Sequence, residues 1–356
     1  MKARYILTYA LLALTGFITP AYATDNEDSE AWKEYVPKIT GVIRARYEVA
    51  TENGMGRFQV RNARLQVQGN VGPVFDYYIN TDFCDRGKVK ILDAWGQGHL
   101  GYGVSVRLGQ FRQPFGMDSF LGPTTYLFNN RSFIGKYMSN VRAVGAQVQY
   151  TATGFPATVA AGIFNPKDMS DHSEWTHQYA YAARLILSPG PLKLYTGIQS
   201  EIPDSVRFNL WNLGAHLEVG QLTLEAEYMN EHYTNQAHKA CHGWLAVANY
   251  YVPVKWGDFN RISFQARFDG MTGYSTGKRS AVTTTGSDGV EKTEYKLITD
   301  QPGRNRLTVG TTLSSIIAKR LFTDIRLNYE KYFYRHDAVY DPTDGDRLSL
   351  ELILSF

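Results

Sequence analysis

The sequence predicts an all-β fold, a transmembrane antiparallel β-barrel of about sixteen strands. Three observations carry this. Apolar and polar residues alternate with period two from Ile39 to the C-terminus, as in strands with one oily and one wet face. The alternating segments are about ten residues long, the length a tilted strand needs to cross a bilayer. Tight turns and long loops mark the connections, as on the two rims of an outer-membrane barrel.

The segments fall at 38–49, 58–70, 74–83, 89–99, 103–111, 141–151, 155–164, 177–188, 191–199, 208–219, 221–232, 242–252, 259–270, 305–316, 321–333 and 346–356. In the first, Ile39, Gly41, Ile43, Ala45, Tyr47 and Val49 share one face, and Thr40, Val42, Arg44, Arg46 and Glu48 the other. In the second, Ala63, Leu65 and Val67 alternate with Arg64, Gln66 and Gln68. The eighth sets Tyr181, Ala183, Leu185 and Leu187 against Arg184; the eleventh sets Leu222, Leu224, Ala226 and Tyr228 against Thr223, Glu225 and Glu227. The thirteenth alternates Ile262, Phe264, Ala266 and Phe268 with Arg261, Ser263, Gln265, Arg267 and Asp269. The last alternates Leu348, Leu350, Leu352, Leu354 and Phe356 with Arg347, Ser349, Glu351 and Ser355. Gly72-Pro73, Ser188-Pro189-Gly190 and Gly220 read as tight turns. The long loops are 112–140, 165–176, 200–207, 233–241, 271–304 and 334–345. An even strand count places both termini on the tight-turn side. Aromatics crowd the segment ends (Tyr47, Phe58, Phe75, Tyr77, Phe83, Tyr150, Phe155, Phe164, Trp211, Tyr251), as interfacial girdles do.

Composition agrees. Mean hydropathy is −0.31, too low for a helical polytopic membrane protein. With 37 Lys+Arg against 34 Asp+Glu, the charge gives no support to nucleic-acid binding. Two cysteines, Cys84 and Cys241, make no disulfide framework; both belong on the long-loop rim, and a bond between them stays open. Lys2, Arg4, the mostly apolar run 5–19 and Ala21-Tyr22-Ala23 form the three-part pattern of a cleaved signal peptide at 1–23. Residues 24–37 are then expected as a periplasmic segment and 38–356 as the barrel, since only helices and closed barrels satisfy the backbone in lipid.

Charge concentrates where a pore would narrow. Residues 104–142 carry Arg107, Arg112, Arg131, Lys136 and Arg142 against Asp118 alone. Arg44, Arg46, Arg64, Arg184, Arg267 and Arg326 have lumen parity, as do Asp93, Glu225, Glu227, Asp269 and Glu351. Two roles remain open for these arginines: binding the oxygens of passing anions bidentately, or pairing with the acids to brace the wall. His232, His238, Cys241 and His242 match no standard metal spacing and are expected as an ordinary loop. Asp341, Asp344 and Asp346 depart from the calcium-loop pattern and are expected as a solvated turn, or as a divalent bridge to lipopolysaccharide. No metal or other cofactor is expected. There is no G-x-S-x-G element and no convincing nucleophile–base pair, so no enzyme is expected.

Gly109-Gln110-Phe111-Arg112-Gln113-Pro114-Phe115-Gly116 resembles the G-Q-F-basic-x-P-F-G signature of the phosphate-selective porin O and P family. Arg61-Asn62-Ala63-Arg64-Leu65 with Gly69 resembles its Arg-rich second strand, and Leu92-Asp93-Ala94-Trp95 its D-A-aromatic strand. Arg142 with Gly145, Gly162-Ile163-Phe164-Asn165, Ala183-Arg184-Leu185 with Pro189, and Arg267-Phe268-Asp269 continue the match in order. Asn62 departs from it, standing where a second basic residue is common, and the chain is compact for the family; both argue against strict phosphate selectivity. The resemblance implies a Gram-negative outer-membrane porin passing small anions, phosphate or another oxyanion, by passive diffusion. It implies a constricting loop at 112–140 and a homotrimer in outer-membrane lipid and lipopolysaccharide. A last strand ending on Phe356 resembles the signal read by the barrel-assembly machinery. A structural or adhesive barrel with a closed lumen, or a barrel enzyme, are the alternatives. Alternation leaves open whether Arg61 faces lipid or lumen.

Overall fold

Strands with one apolar face must pair edge to edge until no edge is left, because lipid offers unpaired backbone groups no partner. The computed structural model, which describes residues 36–85, 87–139, 141–166, 175–203, 206–285, 291–317, 320–334 and 344–356, has this arrangement. Its strands are β1 (Lys38–Ala50), β2 (Gly56–Val71), β3 (Phe75–Asp85), β4 (Lys88–Gly101), β5 (Val104–Arg112), β6 (Arg142–Thr151), β7 (Ala157–Phe164), β8 (Ala180–Leu187) and β9 (Leu192–Glu201). They continue as β10 (Phe208–Val219), β11 (Leu222–Tyr233), β12 (Cys241–Trp256), β13 (Phe259–Met271), β14 (Arg279–Thr285), β15 (Glu291–Leu297), β16 (Arg304–Ile317), β17 (Arg320–Tyr334) and β18 (Arg347–Ser355). Sixteen of them close one antiparallel barrel, with β1 paired to both β2 and β18. These are the sixteen expected segments, with ends moved by a few residues. The hairpin β14–β15 lies outside the barrel, inside the expected long loop 271–304. Its polar strands carry no apolar face, so alternation gives no signal there. The expected signal peptide and residues 24–35 lie outside the described residues.

Side chains follow the parity. In β18, Leu348, Leu350, Leu352 and Leu354 are exposed on the outside, while Ser349 and Glu351 are buried inside. In β17, Asp324, Arg326, Asn328 and Glu330 are buried between outward Ile325, Leu327 and Tyr329. Charge is therefore inside and hydrocarbon outside, the reverse of a water-soluble fold. Two of the ten expected girdle aromatics differ. Phe164 is buried in the lumen, edge-on to Phe111 at 5.4 Å, and Tyr251 turns inward under the Arg261 guanidinium at 4.8 Å. A bulge settles Arg61. Arg44 pairs with Asn62 and Ala45 with Val60, leaving Arg61 as the extra residue. Its charged neighbours Arg44, Glu351, Glu48 and Asp82 are lumen residues. At the seam between β1 and β18, the Gly41 N–H donates to the Phe356 carbonyl at 2.8 Å and the Phe356 N–H to the Gly41 carbonyl at 3.1 Å. The Phe356 ring occupies the space a side chain at Gly41 would need.

The hydrophobic core lies inside the barrel. The β5–β6 connection, 113–141 and hereafter L3, turns inward and buries Phe115, Phe128, Phe133, Ile134 and Met138. They pack against Phe164, Leu210, Met229, Leu245, Val247 and Met271 on the lumen face of the wall. Each such burial contributes about 1.5–3 kcal/mol. These wall residues interrupt the polar lumen pattern on β7 and β10–β13 and mark where L3 docks.

Candidate pore constriction

L3 is held by wall groups that meet its backbone. The Glu227 carboxylate accepts the N–H groups of Met117 and Asp118 at 2.7 and 2.9 Å and the Asn212 amide at 2.8 Å. Asp269 accepts the Phe133 N–H at 2.9 Å, and the Asn328 side-chain oxygen accepts the Asn129 N–H at 2.8 Å. Guanidiniums take the carbonyls: Arg44 donates to Asn129 at 3.0 Å, Arg267 to Asn130 at 2.7 Å and Arg306 to Arg131 at 2.6 Å. Orphan backbone groups of a loop that leaves solvent are thus paired, as burial demands.

The same residues form ion pairs. Arg44 meets Glu351 at 2.7 Å, Arg46 meets Glu48 at 3.0 Å, and Arg326 meets Asp324 at 2.5 Å. Arg267 and Arg306 share Asp269 at 3.2 and 2.8 Å, and both reach Glu330. On the β13–β18 and β1 side, then, arginines and acids neutralise one another and clamp L3.

The opposite side differs. Arg64 pairs with Asp82 at 2.8 Å and Arg142 with Asp93 at 2.9 Å. Among the described residues, Arg107, Arg112, Arg131 and Arg184 have no carboxylate partner. Arg107 lies 4.0 Å over the Trp95 ring and bonds Gln97. Arg184 lies 3.7 Å over Phe120 and donates to the Gly116 carbonyl at 3.2 Å. Arg112 approaches the same ring at 5.9 Å, with Arg142, Arg131 and Asp93 as its charged neighbours. Arg131 lies 4.5 Å over Tyr126 and donates to the Leu121 carbonyl at 2.9 Å. Ring faces and carbonyls fix a guanidinium without cancelling its charge. The only acid of the segment, Asp118, is buried against Ser132 Oγ at 2.7 Å. Burial raises its carboxyl above the ordinary range, with Arg131 acting in the opposite sense.

Of the five residues expected at the constriction, Arg112, Arg131 and Arg142 come together; Arg107 stands farther along β5 against Trp95 and Phe111, and Lys136 lies elsewhere. Lys136 sits across L3 beside Asp344 at 3.4 Å, close to the Arg304–Asp344 pair at 2.6 Å. Asp344 thus braces the loop rim, and Asp346 pairs with Lys331 and accepts the Tyr332 N–H at 2.7 Å. Asp341 lies outside the described residues. Glu225 holds His216 at 2.9 Å, and His242 meets the Tyr228 hydroxyl at 2.6 Å. Cys84 and Cys241 are both free. Sequence reasoning did not single out Arg306, Glu330 or Asp82, although their parity places them in the lumen. It had no means of finding Phe120, whose role depends on where L3 lies. Beyond L3 the lumen opens into a polar cavity of about 660 Å³ between Thr125, Gln66, Ser263, Gln265 and Arg326.

The sequence profile of the family described as phosphate-selective porin O and P matches residues 40–202. No curated protein matches the chain in sequence. Solved structures with the same fold include a loop L8 deletion mutant of OmpT, an outer membrane protein of Vibrio cholerae (TM-score 0.60, 10% identity, 91% of this chain and 100% of that one). They also include an anion-selective porin from Comamonas acidovorans (TM-score 0.56, 12% identity, 91% and 100%) and Salmonella typhi OmpF in complex with daunomycin (TM-score 0.57, 11% identity, 91% and 98%). Residues 40–202 thus match the phosphate-selective porin O and P family, and the chain folds as a closed sixteen-stranded barrel like those of outer-membrane porins.

Proposed function

We propose that the barrel is an outer-membrane diffusion channel selective for small anions, phosphate and other oxyanions among them. The observation that carries this is the set of guanidiniums without a described carboxylate partner, Arg112, Arg131 and Arg184 beside L3 and Arg107 farther along the β5 wall. A pore selects by the charge lining its narrow point. An unneutralised arginine fork suits an oxyanion's geometry, and a ring-held fork is already ordered before the ion arrives. Arg64 and Arg142, though paired, extend the same basic surface. Lys136 contributes at the outer entrance. A homotrimer fits this reading, since a solved OmpT of similar fold is described in its trimer form.

The test is ion selectivity in planar bilayers. A reversal potential that favours chloride over potassium in a salt gradient, with phosphate competing for chloride current, is the expected result. Cation preference removes the selectivity proposal, and absence of current returns the barrel to a closed structural role.

A further inference from the structure

On the outside of β8–β12 the wall carries an apolar groove of about 650 Å³, lined by Leu187, Leu194, Leu213, Ala215, Ala226 and Trp244. Outward parity places these side chains on the lipid face. Small residues at Ala215 and Ala226, between larger neighbours, make the depression. Farther up β10, at the long-loop rim, stands Arg207. It donates to Ser200 Oγ at 2.8 Å and to the Tyr179 carbonyl at 2.9 Å, and lies 5.8 Å over the Tyr181 ring. Tyr179 and Tyr181 are exposed on the outer face; Glu201, buried on the lumen side of the wall, acts on Arg207 through the wall but forms no ion pair with it. Its guanidinium is therefore a fixed cation on the outer face with no described carboxylate in ion-pair contact, and exposed His232 lies one strand away on the same face.

The spacing matches one leaflet. Six residues separate Arg207 from Leu213, about 20 Å along the strand at 3.3 Å per residue. A strand tilted by about 40° reduces this to roughly 15 Å along the membrane normal, half the hydrocarbon thickness of about 30 Å. An anionic head at Arg207 sets its acyl chain ends at the groove.

We propose that this face binds a phosphorylated lipid of the outer leaflet, its phosphate on Arg207 and an acyl chain in the groove beside Ala215. The proposal rests on the outer-membrane placement above but not on anion selectivity. Arginine suits a lipid phosphate because its fork meets two oxygens at once.

The test uses the full chain, purified in detergent, stripped of lipid and incubated with bisphosphorylated lipid A or its dephosphorylated form. Retained lipid is counted by native mass spectrometry. Wild type is expected to retain at least tenfold more of the phosphorylated form. Arg207→Gln should remove that preference, and Ala215→Trp should lower retention of both forms by filling the groove. Channel conductance, measured in parallel, is expected to be unchanged and reports separately on the pore. Equal retention of the two lipids by wild type overturns the proposal without need of a variant. So does an Ala215→Trp protein that loses its oligomer while retaining lipid, which would make the groove a contact between copies.

Discussion

Replacing Arg112 by Gln tests the proposed selectivity at one charge. The side chain stays polar but is shorter, and it loses a guanidinium that no described carboxylate cancels and that Phe120 flanks at 5.9 Å. For an ion passing about 6 Å away in water, one unit charge is worth about 0.7 kcal/mol. It lowers the barrier for an anion and raises that for a cation, so the ratio of permeabilities changes by about 1.4 kcal/mol, or about tenfold. Screening reduces this to about fourfold at 0.1 M salt and about 1.4-fold at 1 M, where the Debye length is about 3 Å. Reversal potentials in potassium chloride gradients, at both salt levels, measure the ratio. The expected result is a smaller chloride preference in Arg112→Gln, with a gap from wild type that closes at high salt. An unchanged ratio at 0.1 M refutes the assignment of Arg112. An equal change at both salt levels refutes the electrostatic argument and points to a displaced loop.

Other predictions follow from the way L3 is held. Glu227→Ala removes the acceptor of two loop N–H groups and one amide, at a cost of about 3 kcal/mol or more for buried bonds to a charged group. Open-channel current noise should rise in that variant, and a current as quiet as wild type would show that L3 is fixed elsewhere. The Asp118 carboxyl is held above its ordinary value by burial, so its contribution to stability is full below about pH 4 and is lost as pH rises through the raised value. Asp118→Asn should therefore gain on wild type in unfolding midpoint between pH 4 and pH 8, and parallel curves would contradict this. Gly109 has φ +129°, and a Cβ there would lie 2.3 Å from the Ala94 carbonyl oxygen. Gly109→Ala should cost more than about 1 kcal/mol and lower the refolded fraction on heat-modified electrophoresis. It also moves Trp95, on which Arg107 rests, so any protein that does fold should show reduced chloride preference.

Legibility in the sequence followed the physics of each part. A strand between lipid and water must alternate, so Leu348 to Phe356 or Ile262 to Asp269 could be placed in membrane and lumen by parity alone. The β2 bulge defeats parity, since one extra residue breaks the period, and Arg61 could be assigned only through its partners. Phe164 and Tyr251 looked like girdle residues because aromatics at strand ends are common to both faces. The hairpin β14–β15, wet on both sides, left no alternation to read.

The candidate site divides in the same way. The sequence alone determined the barrel, its sixteen strands, the polar lumen and the excess of basic residues between 104 and 142, because these depend on local period and charge. It could not distinguish an arginine that binds ions from one that braces a wall, since both have the same parity. Tertiary structure separated two sets of arginines by placing acids beside one of them. Arg44, Arg267 and Arg326 meet Glu351, Asp269 and Asp324, whereas Arg107, Arg112, Arg131 and Arg184 meet rings and carbonyls. It also sent Lys136 to Asp344, away from Arg112, Arg131 and Arg142. The course of an inward loop is fixed by contacts more than a hundred positions away, such as Glu227 on Met117 and Asp269 on Phe133, and no local pattern encodes them.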